Sequence, residues 1–190
     1  SKRGRRRKDR EEGVHMSVSI IILKEIGGFS CEAALSSVRR AAERAGIHCI
    51  DLETPRHVDP LTGAETAYIS GALCEVSAEE LKARFERRVE TRQCGFTIQG
   101  PEDDSCDSFT WLIQKKNYFW ALDLEYLGGD FEFAFRFLSQ YFRLPENARD
   151  YLWIDDTDWF YTAEEIIQLS EGPYDPSWSY KKSNKFSISS

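Results

Sequence analysis

Ile20, Ile21, Ile22 and Leu23 form one unbroken aliphatic block. A strand that wets one face alternates apolar and polar residues, because successive side chains point to opposite sides; four large aliphatic residues in a row leave no side for water. Residues 17–26 are therefore expected as a central strand covered on both faces, and the fold around it needs packing material above and below the sheet.

The chain after this block reads as an alternation of short elements. Gly27 and Gly28 break the strand and Ser30 can cap a helix in which Leu35, Val38, Ala42 and Ala45 recur at helical spacing, with Arg39, Arg40, Glu43 and Arg44 on the polar side and Gly46 as the stop. Residues 47–53 read as a second strand, giving a β-α-β opening, 54–65 as a loop and 66–75 as a third strand. Ser77 and Glu80 form a capping box for a second helix, whose Leu81, Phe85 and Val89 recur every four residues and are expected to lie on the sheet. Residues 94–99 read as a strand, 100–107 as an acidic exposed loop, and 108–115 with 118–126 as a hairpin. Asp130 introduces the strongest helical period of the chain, Phe131, Ala134, Phe135, Leu138, Tyr141 and Phe142, which ends before Pro145. A strand over 151–154, an acidic turn over 155–158 and a capping box of Thr162 and Glu165 opening a short helix complete the pattern. The fold class expected is α+β, with a mixed, mostly antiparallel sheet of five or six strands and three or four helices packed on it, one domain over 16–172 and a mobile polar tail over 173–190.

Charge divides the chain. The 190 residues carry a formal charge of −7, yet the first 16 hold seven basic residues and three acidic ones, so the remaining 174 hold 18 basic and 29 acidic side chains, a net of −11. An acidic body repels nucleic acid and favours basic partners. The basic start could serve as a nucleic-acid arm or a localisation signal; the lone methionine, Met16, directly before the first strand favours reading 1–15 as an extension outside the fold, and nucleic acid is then no partner. The apolar stretch from Val18 ends at Lys24, far short of the ~20 residues of a spanning helix, and no signal peptide follows Met16, so no membrane association is expected. Cys31, Cys49, Cys74, Cys94 and Cys106 are scattered singly, an odd count that fits a reducing, cytoplasmic setting.

The residues that invite a chemical reading lie between Tyr151 and Thr162, where Asp155, Asp156 and Asp158 stand among five aromatic rings. A calcium loop starting at Asp156 would place Tyr161 where the sharp turn needs glycine and Ile167 where a bidentate glutamate is needed, so no metal is assigned. His57 and Asp59 in the 54–65 loop, with Cys94 or Cys106, could form a nucleophilic site, but no local context activates these thiols, and His48 reads as an edge or packing histidine. Asp123, Glu125, Asp130 and Glu132 could supply paired carboxylates; the plainer reading has Asp123 and Glu125 pointing outward from a strand whose inward set is Leu122, Leu124 and Tyr126, and Asp130 and Glu132 complementing a helix dipole. Neither Gly27–Gly28 nor Gly128–Gly129 makes a phosphate loop, and no cofactor is expected. Of the aromatic residues, Trp111 and Trp120 read as packed, whereas Trp159 and Tyr161 beside the acidic turn, and Trp178 and Tyr180 in the tail, are the candidate surface anchors.

The stretch 123–167, a strand, an aromatic amphipathic helix, a short linker, then the acidic aromatic run and a capped helix, resembles the small cytosolic immunity proteins of bacterial polymorphic-toxin and contact-dependent systems. The resemblance implies a non-catalytic inhibitor that occludes a cognate toxin domain. An acidic, aromatic-rich domain suits a basic cleft such as that of a nuclease. The expected partner surface comprises Asp155, Asp156, Asp158, Trp159 and Tyr161, joined in charge by Glu102, Asp103, Asp104 and Asp107. Two alternatives stand beside it, a small enzyme using His57, Asp59 and Cys94, and a regulatory module whose basic arm touches nucleic acid.

Overall fold

The computed structural model describes residues 18–101 and 109–182. Its first strand, β1 (Ile20–Glu25), lies inside the sheet between β6 (Tyr118–Glu125) and β7 (Tyr151–Ile154), antiparallel to both. Ile20, Ile21, Ile22 and Leu23 are each 0% exposed. Ile20 and Ile22 belong to one core, Ile21 and Leu23 to another on the opposite face.

Several elements follow the sequence signals closely at their ends, whereas β3 (Arg56–Val58), α3 (Thr110–Ile113) and β8 (Phe160–Thr162) arise where a loop, a strand and no strand were expected. Helix α1 (Cys31–Ala45) starts where the Ser30 hydroxyl accepts a hydrogen bond from the Ala33 N–H at 3.1 Å, and stops where Gly46 takes the left-handed conformation, φ 68°. Then come β2 (His48–Glu53), β3 (Arg56–Val58), β4 (Glu65–Cys74), α2 (Ala78–Arg87), β5 (Gln93–Gln99), the one-turn helix α3 (Thr110–Ile113), β6, α4 (Phe131–Tyr141), a 3-10 turn at Pro145–Asn147, β7, β8 (Phe160–Thr162) and α5 (Ala163–Glu171). The strands lie in the order β2-β4-β5-β6-β1-β7-β8, with β3 added to β4, and every adjacent pair is antiparallel. The fold is α+β, with more strands than the five or six expected and five helices instead of three or four. The β-α-β opening survives only as a long crossover: β1 and β2 run parallel but three strands lie between them, and α1 spans that gap with α4 beside it on the larger core.

Four expectations are corrected. The hairpin expected of 108–115 with 118–126 does not form: residues 109–115 do not pair with β6, whose partners are β5 and β1; the β-favouring Phe, Trp and Ile side chains are spaced for a helix instead, with Phe109, Leu112 and Ile113 at i, i+3 and i+4, all buried, and Gln114 closes the turn at φ 54°. Helix α2 does not rest on the sheet: it has no buried residue, and Phe85 is 83% exposed. It spans the β4–β5 connection, held by ion pairs from Arg84 to Glu75 and from Arg87 to Glu80, both 2.8 Å, so its apolar stripe meets no partner element. Of the inward set expected for β6, Leu122 and Leu124 lie in the larger core but Tyr126 does not: the strand ends at Glu125 and Tyr126 turns out to solvent at φ 56°, while Asp123, expected outward, is buried opposite Ile21 because the second face is covered too. The fourth correction concerns the tail.

Trp178, read as part of a mobile tail, is 1% exposed, its ring 5.1 Å from that of Phe135 on α4 and its carbonyl accepting a 2.9 Å hydrogen bond from the Tyr161 hydroxyl. Lys182 returns to the sheet, donating to the Phe160 carbonyl at 2.7 Å and pairing with Glu165 at 2.9 Å. The domain thus continues past 172 to at least 182, because the α4 aromatic face is completed only by an indole that comes from beyond α5. Residues 183–190, and the basic run within 1–17, lie outside the described residues. No described helix is long and apolar enough to cross a membrane.

Trp178→Ala is expected to cost ~3–5 kcal/mol, the range for emptying a large aromatic site in a core. A urea midpoint unchanged from that of the parent chain would show that the segment contributes nothing to the fold.

Candidate interaction surface

The acidic turn between β7 and β8 is tied down atom by atom. The Asp155 N–H donates to the Ser19 carbonyl at 3.1 Å, continuing the β1–β7 ladder, and the Thr157 N–H donates to the Ile154 carbonyl at 3.1 Å, closing the turn. Asp156 sits at φ 67°, a left-handed conformation that aspartate tolerates better than most residues. The Thr157 hydroxyl lies 2.8 Å from the Ile154 carbonyl and 3.0 Å from that of Trp159, and the Trp153 indole N–H donates to the Thr157 carbonyl at 2.9 Å. Asp156 and Asp158 are exposed and Asp155 half-buried, and among the described residues none of the three has an ion-pair partner. The result is a stiff backbone presenting carboxylates whose charge is left for something outside the fold.

The aromatic anchors are not the ones expected. Tyr161 is 0% exposed, paired in register with Leu152 in the larger core, and Trp159 meets it edge-on at 5.3 Å, half-buried against the same core. Alternation along β8 turns both rings toward the helices and leaves Phe160 on the other face. Tyr180, also expected as an anchor, is 71% exposed, and among the rings gathered on Trp153 the one offered to solvent is Trp111 of α3, 58% exposed, with its centroid 5.9 Å from Trp153. Trp153 also holds Phe109 at 5.5 Å and Trp120 at 6.4 Å, all edge-on. One indole therefore joins the acidic turn, through its N–H, to an aromatic platform, through its ring faces and edges. The helical spacing of Phe109, Leu112 and Ile113 puts position 111 outside, a signal obscured by the strand-like composition of 108–115. Glu102, Asp103, Asp104 and Asp107 lie outside the described residues, as does Cys106; the described chain resumes at Phe109, on this platform.

Beneath the platform lies Asp123. Its Oδ2 accepts a 3.2 Å hydrogen bond from the Trp120 indole N–H, its Oδ1 is buried and accepts none, and the residue is 7% exposed. Burial, and then the neighbouring Glu125 carboxylate, push its pKa up to about 7.

A second cluster sits at the opposite end of β1. Lys24 Nζ is 2.6 Å from Asp150 Oδ2 and 3.2 Å from both Asn147 Oδ1 and the Tyr141 hydroxyl oxygen; that hydroxyl donates to Asp150 Oδ2 at 2.8 Å. All three ammonium hydrogens have acceptors, so nothing is left over for a ligand. A cleft of about 470 Å³ opens above it, between the start of α1 and the 3-10 turn, but its rim cations are also matched, Arg40 by Glu146 and Arg149 by Glu25 at 3.8 Å. This network reads as a structural clasp between β1, α4 and β7.

The Cys/His site expected as an alternative is not assembled. His57 lies in β3, not in a loop, opposite Thr66 of β4, whereas Cys94 of β5 lies opposite Leu73; seven positions along one strand separate them by ~23 Å. Cys94 is buried, and burial pushes its thiol up to about 12, away from the reactive thiolate. His48 stands exposed on the edge strand β2, as expected. Among the described residues no group of three His, Cys, Asp or Glu side chains is placed to hold a metal ion.

Two outcomes follow from these groups. Because the folded Asp123 holds its proton up to about pH 7 while an unfolded aspartate loses it near pH 4, folding binds a proton in that window and stability declines as pH rises through it. Urea midpoints of Asp123→Asn measured from pH 4 to 7 are expected to lose this decline; an unaltered slope would show that Asp123 is not its source. Lys24→Met, which strands the Asp150 charge, is expected to cost ~3–5 kcal/mol in the same measurement.

Comparison with protein-family models, with curated proteins and with solved structures finds no match to this chain.

Proposed function

We propose that this chain is a non-catalytic inhibitor of the immunity-protein type, acting in the cytoplasm, which binds a basic toxin domain and covers its active cleft with the acidic β7–β8 turn. The observation that carries the reading is the state of Asp155, Asp156 and Asp158: a backbone locked by Trp153, Thr157 and Ser19 holds three carboxylates with no internal cation among the described residues. Charges prepared in this way contribute little to folding, since exposed carboxylates gain nothing from isolation. They do lower the ordering cost of binding and speed encounter with an opposite charge. The net of −11 on residues 17–190 acts in the same direction over a longer range. A nuclease is the favoured target class, because a cleft that binds nucleic acid is basic.

The experiment is co-expression with the product of the adjacent open reading frame. Growth rescue is expected from the parent chain. The triple charge reversal Asp155→Lys, Asp156→Lys and Asp158→Lys is expected to lose it, with association slowed ~10–1000-fold at low ionic strength and the salt dependence of the rate flattened. Undiminished rescue by the triple variant would remove the turn from the interface.

A further inference from the structure

Trp111 is a large ring spread on the surface of a one-turn helix whose other apolar residues, Leu112 and Ile113, are buried. A sequence that could have put a polar residue at this outward position puts the largest apolar one there. Its own ring is fixed by an edge-on contact with Trp153, the same residue whose indole N–H grips the acidic turn. The exposed ring and the unpaired carboxylates are thereby linked through Trp153, whose ring meets Trp111 and whose N–H meets the carbonyl of Thr157, the residue between Asp156 and Asp158. Each has a different preference in a ligand. The ring face attracts a cation that is flat and weakly hydrated, and the carboxylates attract a cation that can donate two parallel hydrogen bonds.

Both preferences are met by one group, the guanidinium, and only partly by an ammonium, which is compact, strongly hydrated and unable to stack. We infer that Trp111 with Asp156 and Asp158 forms a docking surface for an arginine-bearing segment of a partner protein, arginine side chains of that segment lying on the Trp111 ring and pairing with the turn. The inference rests on the inhibitor reading above for its biological setting and names the partner chemistry of that same surface. It replaces Trp159 and Tyr161, whose rings are committed to the larger core, by Trp111 as the anchor. Other parts of the surface fit less well. The Phe85 stripe on α2 is exposed and apolar, but Arg, Lys and Glu surround it in balance and specify no partner. The Lys24 cleft has its charges internally matched.

The test uses the full chain and two capped peptides of equal length, tetra-arginine and tetra-lysine, titrated at low salt and followed by calorimetry and by the indole N–H resonances. The arginine peptide is expected to bind at least about threefold more tightly than the lysine peptide and to shift the Trp111 resonance. Trp111→Ala is expected to reduce the arginine preference to what bidentate pairing with the turn supplies, while leaving charge-driven binding of both. The pair Asp156→Asn and Asp158→Asn is expected to weaken both. Trp111→Phe, which keeps a ring on the same helix, is expected to retain part of the preference and so separates loss of the face from loss of the fold. Equal affinities for the two peptides in the parent chain, or a preference undiminished by Trp111→Ala, would overturn the inference. If growth rescue fails while the arginine preference stands, the inhibitor reading alone falls. If rescue stands and the preference is absent, only this docking chemistry falls.

Discussion

Burial of β1 on both faces is the constraint from which the rest of the structure follows. A strand of Ile, Ile, Ile and Leu cannot lie at an edge or on a wet face without exposing several large side chains, each worth ~1.5–3 kcal/mol when removed from water. It must have strands on both sides, which are β6 and β7, and cover above and below. The upper cover is conventional, α1 and α4 crossing the sheet with the aromatic face of α4 turned inward. Among the described residues the lower cover is thin, a single helical turn with Phe109, Leu112 and Ile113 backed by Tyr118, Tyr151 and Trp153. Large aromatic rings fill the space there that a longer helix would otherwise cover.

The thin layer has a consequence for function. A long amphipathic helix over the second face would hide its apolar residues and present charge to water. A one-turn helix has too few positions to do both, and Trp111 remains outside while Trp153 is held at its border. Trp153 then has one polar atom to satisfy, its indole N–H, and the nearest acceptor belongs to the acidic turn. Packing of the lower core and rigidity of the turn are therefore one arrangement, and the candidate surface inherits its stiffness from the hydrophobic core beneath it.

The two ends of β1 differ in chemistry for a related reason. At Lys24 the strand meets a buried carboxylate, a buried phenol and a buried amide, and the low dielectric there demands that every donor be matched. At Ser19 the strand meets the solvent-facing turn, where unmatched carboxylates are cheap because water solvates them. Donors are thus matched at the buried end of the strand, and charge is left unmatched at the exposed end.

Much of this was legible in the chain itself. The central position of β1, the caps of α1 and α5, the face of α4 and the strand-turn-helix of 151–171 all rest on local spacing and local hydrogen bonds, which depend only on neighbours in sequence. The acidic turn was legible as a turn, and its exposure followed from its charge. Tertiary structure decided which aromatic ring faces water. Composition alone cannot separate Trp111, which lies outside, from Trp159 and Tyr161, which lie inside, because the answer depends on which face of the sheet a far element covers. It also decided that Asp123 is buried, that α2 keeps its apolar stripe exposed, and that Trp178 closes the core. Those outcomes depend on contacts between residues distant in sequence, for which one chain carries no local signal; the sequence determines what must be buried, and the packing determines what does the burying.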